Sequence, residues 1–317
     1  MYDVAALGEL LIDFTCLSTD ADGYPTMAAH PGGAPANYLA ALTKFGAKTA
    51  MIGKVGSDAF GRLLIKTLKG TGIDTRGMLV SDDVFTTLAF VTLDDSGNRE
   101  FSFARKPGAD TQLRFDEIDL GVIDASKVLH FGTLSMTNEP ARDATYEAVE
   151  YAAGRGKLIS FDPNLRKPLW NDLDEAKRQM LWGLKHADIV KISDEETEFL
   201  FGIAPEEAAK HIIDSFGVRL VYVTCGAEGC FYRTKTASGF VKALSGIAVK
   251  DTTGAGDIFG GSAMYGLLKA GGVPEKLTAE ELENIVSFAC ASAGLSTTKA
   301  GGISSVPELG EVEAAMR

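Results

Sequence analysis

The chain has 317 residues, 45% of them hydrophobic, enough to bury the core of one large α/β unit or two modest ones. Its 43 acidic against 31 basic side chains give a net charge of −12, which argues against broad binding to nucleic acid or to an anionic membrane, because those surfaces need clustered Lys and Arg. Four scattered cysteines, Cys16, Cys225, Cys230 and Cys290, form no CxxC pair and read as reduced, mostly buried thiols.

The opening "YDVAALGELLIDF" is a strand-like apolar run broken by a glycine and acids. It has no basic n-region and carries Asp3, Glu9 and Asp13, so it reads as neither a signal peptide nor a membrane span, and a cytoplasmic location is expected. Further along, "KTAMIGKVG", "KVLHFG", "KLISFD", "ADIVKIS" and "RLVYVTCG" repeat the strand pattern, each ending in Gly, Ser or Asp. Between them lie amphipathic or Ala-rich stretches such as "APANYLAALTKFG", "DAFGRLLIKTLKGTG" and "PEEAAKHIIDSFG", many closed by a glycine. This alternation predicts an α/β fold with a parallel sheet, helices on both faces, and ligands outside the carboxyl ends of the strands.

Two stretches break the rhythm. "TCLSTDADGYPTMAAHPGG" follows the first strand, and "VFTTLAFVTLDDSGNREFSFARKPGAD" reads as two antiparallel strands around the turn "DDSGN". Together they predict a small β lid inserted from about 14–31 and 85–110 into a single domain spanning 1–317. The exposed face of such a lid offers a homodimer contact; a plain surface hairpin accounts for the same pattern equally well.

The chemistry is concentrated in "DTTGAGD" at 251–257, directly ahead of "IFGGSAMYGLLKAG". A glycine-rich turn before a helix leaves backbone N–H groups pointing outward, and the helix dipole adds positive charge, so the turn is suited to an anion. Asp257, in the first helical turn, reads either as an ordinary capping carboxylate or as a general base beside an anion hole. A Walker A loop, a dinucleotide fingerprint, a GxSxG elbow and HExxH are all absent. A second glycine pair, Gly32 and Gly33, precedes another predicted helix, with Asn37 one turn in.

Taken together, "GGAPAN" followed by "GKVGSDAFG", and "DTTGAGDIFGG" some 200 residues later, closely resemble the two signatures of the PfkB carbohydrate kinases, the ribokinase family, over essentially the whole chain. The resemblance implies a three-layer αβα Rossmann-like domain with a small β-sheet lid that closes over a sugar. It implies ATP as phosphoryl donor, with Asp257 as the base that deprotonates the sugar hydroxyl and the backbone N–H groups of Gly254, Ala255, Gly256 and Asp257 as the anion hole. By the same match, Asp13 of "GELLID", with Gly32, Gly33 and Asn37, binds the sugar. "FDPNLRKPLW" brings Asp162, Asn164 and Arg166 to the site, where the planar fork of Arg166 suits a phosphate or the substrate.

"KISDEETEFL" stands where many members carry NxxE, a motif that organises magnesium and its waters; Glu196 fits its last position and Ser193 departs from its first. "VTCGAEGC" resembles the nucleotide loop and assigns Thr224, Gly226 and Gly229 to ATP. "SFACASAGLSTTKAGGISSVP" resembles the segment that closes over adenine and, in many members, wraps a monovalent cation. That match gives potassium Asp251 and Thr253 together with carbonyls around Ser296, Lys299, Gly301 and Ser305. Cys290 stands where many relatives carry Asn.

The lid segment "EFSFARKPGAD" resembles the fructokinase branch, with Phe101 and Phe103 on one strand face and Arg105 two places on, and the match implies that Phe103 and Arg105 bind the sugar. The expectation is an ATP-dependent kinase acting on the 6-hydroxyl of D-fructose. A 2-keto-3-deoxygluconate kinase and a ribokinase are the alternatives within the family, and a sugar-sensing protein without catalysis is the alternative outside it.

Overall fold

A computed structural model describes residues 1–93 and 99–317, so the predicted turn "DDSGN" and the side chain of Phe101 lie outside the described residues. The opening apolar run is two strands rather than one. β1 (Tyr2–Leu7) ends at Gly8, whose φ of 154° turns the chain out of the large sheet, and β2 (Leu11–Thr19) begins the small one. β3 (Pro25–Gly32) returns antiparallel to β2 and leads into α1 (Ala34–Lys44).

The chain then builds β4 (Thr49–Gly56), α2 (Ala59–Thr71), β5 (Asp74–Ser81), and the lid strands β6 (Leu88–Leu93) and β7 (Arg99–Ala104). It continues through α3 (Leu120–Asp124), β8 (Ser126–Gly132), α4 (Ala141–Gly154), β9 (Leu158–Asp162), α5 (Leu173–His186) and β10 (Ile189–Ser193). After α6 (Asp194–Phe201) and α7 (Pro205–Phe216) come β11 (Leu220–Thr224), β12 (Gly229–Arg233) and β13 (Ser238–Lys242). Three helices close the chain: α8 (Ala255–Lys269), α9 (Ala279–Ser296) and α10 (Leu309–Ala315).

The large sheet has the order β13-β12-β11-β10-β9-β8-β1-β4-β5, and the small one β3-β2-β6-β7. From β11 to β5 every neighbouring pair is parallel, but β12 and β13 run antiparallel, so the expectation of a parallel sheet needs correcting at one edge. The reason is local. Only four residues separate β11 from β12, room for a hairpin but not for the helical crossover that parallel strands require.

Alternation along β1 divides the core in two. Val4 and Ala6 pack with α1, α8 and α9 on one face, while Ala5 and Leu7 pack with α4, α5 and α7 on the other. Three layers result, and the carboxyl ends of β1, β8, β9, β10 and β11 open onto one rim. The small sheet stands over that rim. Its Phe14 stacks on Phe90 and meets Phe60 of α2 edge-on, which ties the lid to the body.

Candidate active site

The site forms where α1 and α8 converge. Gly260 and Gly261 carry no Cβ where α8 passes α1: a Cβ on Gly261 would collide with the Tyr38 carbonyl, and one on Gly260 would press on the Tyr38 ring. This close approach lets Asn37 Nδ2 donate to Asp257 Oδ2 at 2.9 Å. Gly254 caps α8 at φ 76°, in the left-handed region, with the point its Cβ would occupy 3.1 Å from Asn37 Nδ2. Gly256 and Asp257 lie in the first turn, where N–H groups have no intrahelical acceptor. Ala255 differs from the expectation: its N–H donates to the Thr252 carbonyl at 3.2 Å, which leaves Gly254, Gly256 and Asp257 as the outward donors.

Asp257 is buried, and burial pushes its carboxyl above the ordinary aspartate value against the opposing pull of the Asn37 amide, Lys191 and Arg166. Lys191, which sequence reasoning missed, lies behind the anion loop. Its Nζ is 3.1 Å from Asp162 Oδ2 and 3.0 Å from where a Cβ on Gly256 would stand. Burial works to lower the pKa of Lys191, but the carboxylates of Asp162, Glu196 and Asp257 outweigh it and hold the ammonium charged. Burial also pushes Asp162 up to about 7 despite that ammonium.

On the lid, Asp13 is the third residue of β2. Burial pushes it up to about 6, with Arg166 opposing and the Asp257 and Asp251 charges adding. Its side chain lies over Gly32, where a Cβ would strike the carboxylate. Across the sheet Asp13 pairs with His30 on one side and Ala89 on the other, and Ala89 pairs with Phe103; directly paired residues share a face, so Phe103 stands in the row of Asp13. Gly33, at φ 116°, brings the backbone so close to β1's exit that a Cβ would lie 2.5 Å from the Glu9 carbonyl. Glu9 Oε1 in turn accepts the Ala34 N–H at 2.8 Å, fixing the start of α1.

The two arginines differ. Arg166 follows Asn164, whose φ of 46° makes the turn after β9. Among the described residues the side chain of Arg166 hydrogen-bonds only the Leu165 carbonyl, at 3.5 Å, and its charge opposes the burial that raises the pKa of Asp13 and of Asp257. Arg105, expected on the sugar, is turned into the wall. Its Nε donates to Asp110 at 2.8 Å, Nη1 to Thr137 at 2.7 Å and Nη2 to the Leu134 carbonyl at 2.8 Å, because Asp110 is buried and needs a partner.

Glu196 and Ser193 form a capping box on α6: the Ser193 hydroxyl accepts the Glu196 N–H, and Glu196 Oε2 accepts the Ser193 N–H at 2.8 Å. The other oxygen, Oε1, accepts the Leu165 N–H at 2.7 Å, which ties the Arg166 loop to β10's exit. Both Ser193 and Glu196 therefore have structural partners where a cofactor contact was expected.

On the far side of the anion loop a cleft of about 500 Å³ is lined by Thr224, Gly226, Gly229, Gly256, Cys290 and Thr297. Beneath it, Asp251 Oδ1 accepts the Thr253 N–H and hydroxyl, and Oδ2 accepts the Gly301 N–H at 3.0 Å, joining the two segments expected around a cation. Ser305 is buried and donates to the Gly302 carbonyl. The Ser296 carbonyl accepts the Lys299 N–H at 3.2 Å, while Lys299 Nζ points to Glu311 at the surface.

The cleft, the glycine-rich loop and the buried Asp257 carboxylate meet beside the small sheet, and the chain is a phosphotransferase acting on a sugar hydroxyl, the class to which its relatives belong. The chain belongs to the pfkB family of carbohydrate kinases, whose model matches residues 1–309. It is 40% identical over 318 residues to the probable fructokinase-4 of Arabidopsis thaliana, covering 99% of this chain and 96% of that one. Among solved structures, the fructokinase of Xylella fastidiosa with bound ATP superposes with a TM-score of 0.91 at 30% identity, over 100% of this chain and 98% of that one. A double mutant of the Vibrio cholerae O395 fructokinase, in a form holding fructose, ADP and potassium ion, superposes with a TM-score of 0.87 at 30% identity, over 100% and 99% of the two chains.

Proposed function

We propose that this chain transfers the γ-phosphoryl group of ATP to the 6-hydroxyl of D-fructose. The observation that carries the reading is the position of Asp257, a buried carboxylate at the head of α8 with the 500 Å³ cleft on one side of its loop and the Asp13 lid row on the other. ATP takes the cleft, with its phosphates at the N–H groups of Gly254, Gly256 and Asp257. The sugar lies between Asp13, Asn37 and Arg166, under Phe103.

Asp257 Oδ1 accepts the proton of the attacking hydroxyl, while the Asn37 amide holds Oδ2 and keeps the carboxylate aimed. The raised pKa makes the carboxylate a better base. The helix dipole, the loop N–H groups and Lys191 bear the charge that develops on the transferring group. Arg166 remains available for the incoming sugar or a phosphate oxygen.

Among the described residues no three acidic, His or Cys side chains stand close enough to grip a metal. The acidic floor of Asp162, Glu196 and Asp257 against Lys191 fits a magnesium ion brought in on the phosphates and held through waters. Such an ion would supply charge neutralisation on the phosphate oxygens. Potassium fits the loops at Asp251–Thr253 and 296–305 through backbone carbonyls, since the Asp251 oxygens already hold N–H groups; the potassium-bearing Vibrio cholerae relative supports that reading. We read the chain as one kinase domain with its lid inserted, cytoplasmic, and dimeric through the lid hairpin that exposes Leu17 and Tyr24. Among the described residues no helix is long and apolar enough to cross a membrane.

A coupled ATP-consumption assay across fructose, ribose, 2-keto-3-deoxygluconate and adenosine tests the reading, with fructose expected to give the highest kcat/KM. Preference for another sugar moves the chain within the family. Tight sugar binding without turnover makes it a sensor. Asp257→Asn is expected to keep nucleotide affinity and lose about two orders of magnitude or more in kcat; full activity in that variant removes Asp257 from the mechanism.

A further inference from the structure

His30 lies near the end of β3, two residues before Gly32, and it stands directly across from Asp13 on β2. The register puts the two side chains on the same face of the small sheet. From there the ring reaches the body of the protein: Nδ1 lies 3.4 Å from the point a Cβ of Gly301 would occupy. The next residue, Gly302, packs so tightly on Asn37 that a Cβ there would collide with its amide, and Asn37 holds Asp257. His30 is thus joined through three contacts to the proposed base, at the seam where the lid meets the loop after α9.

The ring is half-buried, and among the described residues neither nitrogen has a hydrogen-bond partner. The other three histidines all have partners: His130 bonds Ser160 at 3.0 Å and stacks on Tyr38, His186 bonds the Trp182 carbonyl at 2.8 Å, and His211 shares a hydrogen bond with Ser215 at 3.2 Å. A neutral imidazole carries one donor and one acceptor, whereas the ionised Asp13 carboxylate only accepts. Side by side on one sheet face they complement two neighbouring sugar hydroxyls, one donating to the carboxylate and the other accepting from the ring.

We propose that His30 is a sugar-binding residue that sets substrate preference by reading the hydroxyl next to the one held by Asp13. The inference rests on the carbohydrate-kinase reading of the same site. It assigns to the lid a polar contact that neither glycine signature contains.

The test first fixes the sugar as whichever member of the panel the unmodified protein phosphorylates best, so that failure of the fructose reading appears in the unmodified protein alone. His30→Ala is then expected to raise the KM for that sugar about tenfold, the usual scale for a lost ligand hydrogen bond, while the KM for ATP and the melting temperature stay unchanged. His30→Asn should recover part of the loss. Against deoxy analogues lacking one hydroxyl each, the unmodified protein should discriminate against one analogue that His30→Ala treats like the parent sugar. An unchanged sugar KM, or an equal penalty from His30→Ala on every analogue, overturns the proposal. An unmodified protein that phosphorylates no sugar overturns both this inference and the reading beneath it.

Discussion

Lys191 is the one ammonium among three carboxylates, with Asp162 at 3.1 Å and the charges of Glu196 and Asp257 close enough to hold it protonated. In "ADIVKIS" it looks like the solvent-facing position of an alternating strand, since Val190 and Ile192 carry the apolar pattern. Both faces of this strand are covered, so the alternating position points into the site instead. A lysine within an apolar strand near its carboxyl end was the signal, and pattern reading alone cannot tell a buried charge from an exposed one. Nearby, burial and the Lys191 charge hold the His130 imidazole down at about 3, so it stays neutral and adds no second cation. Lys191→Met removes the cation and leaves its carboxylates buried without a partner. The expected cost is about 3–5 kcal/mol in a urea titration, the scale for breaking a buried pair from one side. A loss of kcat should accompany it in whatever fraction still folds, and a variant with unchanged urea midpoint would mean the pair is solvated.

Among the elements, the crossing of α1 and α8 does the most to assemble the site, and it depends on Gly260 and Gly261. Gly261→Ala is expected to force the helices apart by the width of a methyl group, at about 1–3 kcal/mol of stability. Because Asn37 adjoins Tyr38 at the crossing and Asp257 lies one turn before Gly261, the 2.9 Å bond between them should lengthen, and kcat should fall more than the KM for ATP rises. Circular dichroism melts with steady-state kinetics check both parts; an unperturbed kcat beside a lowered melting temperature would separate the crossing from the chemistry.

The first glycine pair of "DTTGAGDIFGG" is legible as a turn ahead of a helix, but the second pair reads as helix interior in one dimension and as an interhelical contact only in three. Helix ends were legible for a related reason: Gly72, Gly202 and Gly217 all take the left-handed cap conformation. The split of the first strand at Gly8 was not, because apolar alternation runs on through Leu10 and Ile12 while the chain changes sheets. Arg105 reads as a ligand in the sequence because it follows an aromatic strand; the partner that claims it, Asp110, lies five residues on in a segment without regular pattern.

For the whole molecule, the site's buried acids set stability and activity against each other as pH changes. Burial pushes Glu9 up to about 7, Asp162 up to about 7 and Asp13 up to about 6, all above their unfolded values near 4. Between those limits the folded state binds more protons than the unfolded one, so stability is greatest below the unfolded pKa and is lost as pH rises through the folded values. Asp3, Asp58 and Asp74, whose pKa values are lowered, act in the opposite sense but only under more acid conditions. The urea midpoint of the ligand-free protein should therefore fall between about pH 5 and about pH 8. Turnover should rise with pH as the proposed base Asp257 loses its proton, a step that its raised pKa moves to higher pH than in an ordinary aspartate. The net charge of −12 also favours unfolding as the protein becomes more negative, but surface repulsion is screened at a Debye length of about 3 Å in 1 M salt, while charges inside the site are screened much less. A pH slope that survives high salt and flattens in Glu9→Gln belongs to the buried acids. One that disappears with salt belongs to the surface, and would mean that these carboxyls are ionised at neutral pH in the folded protein at no cost to its stability.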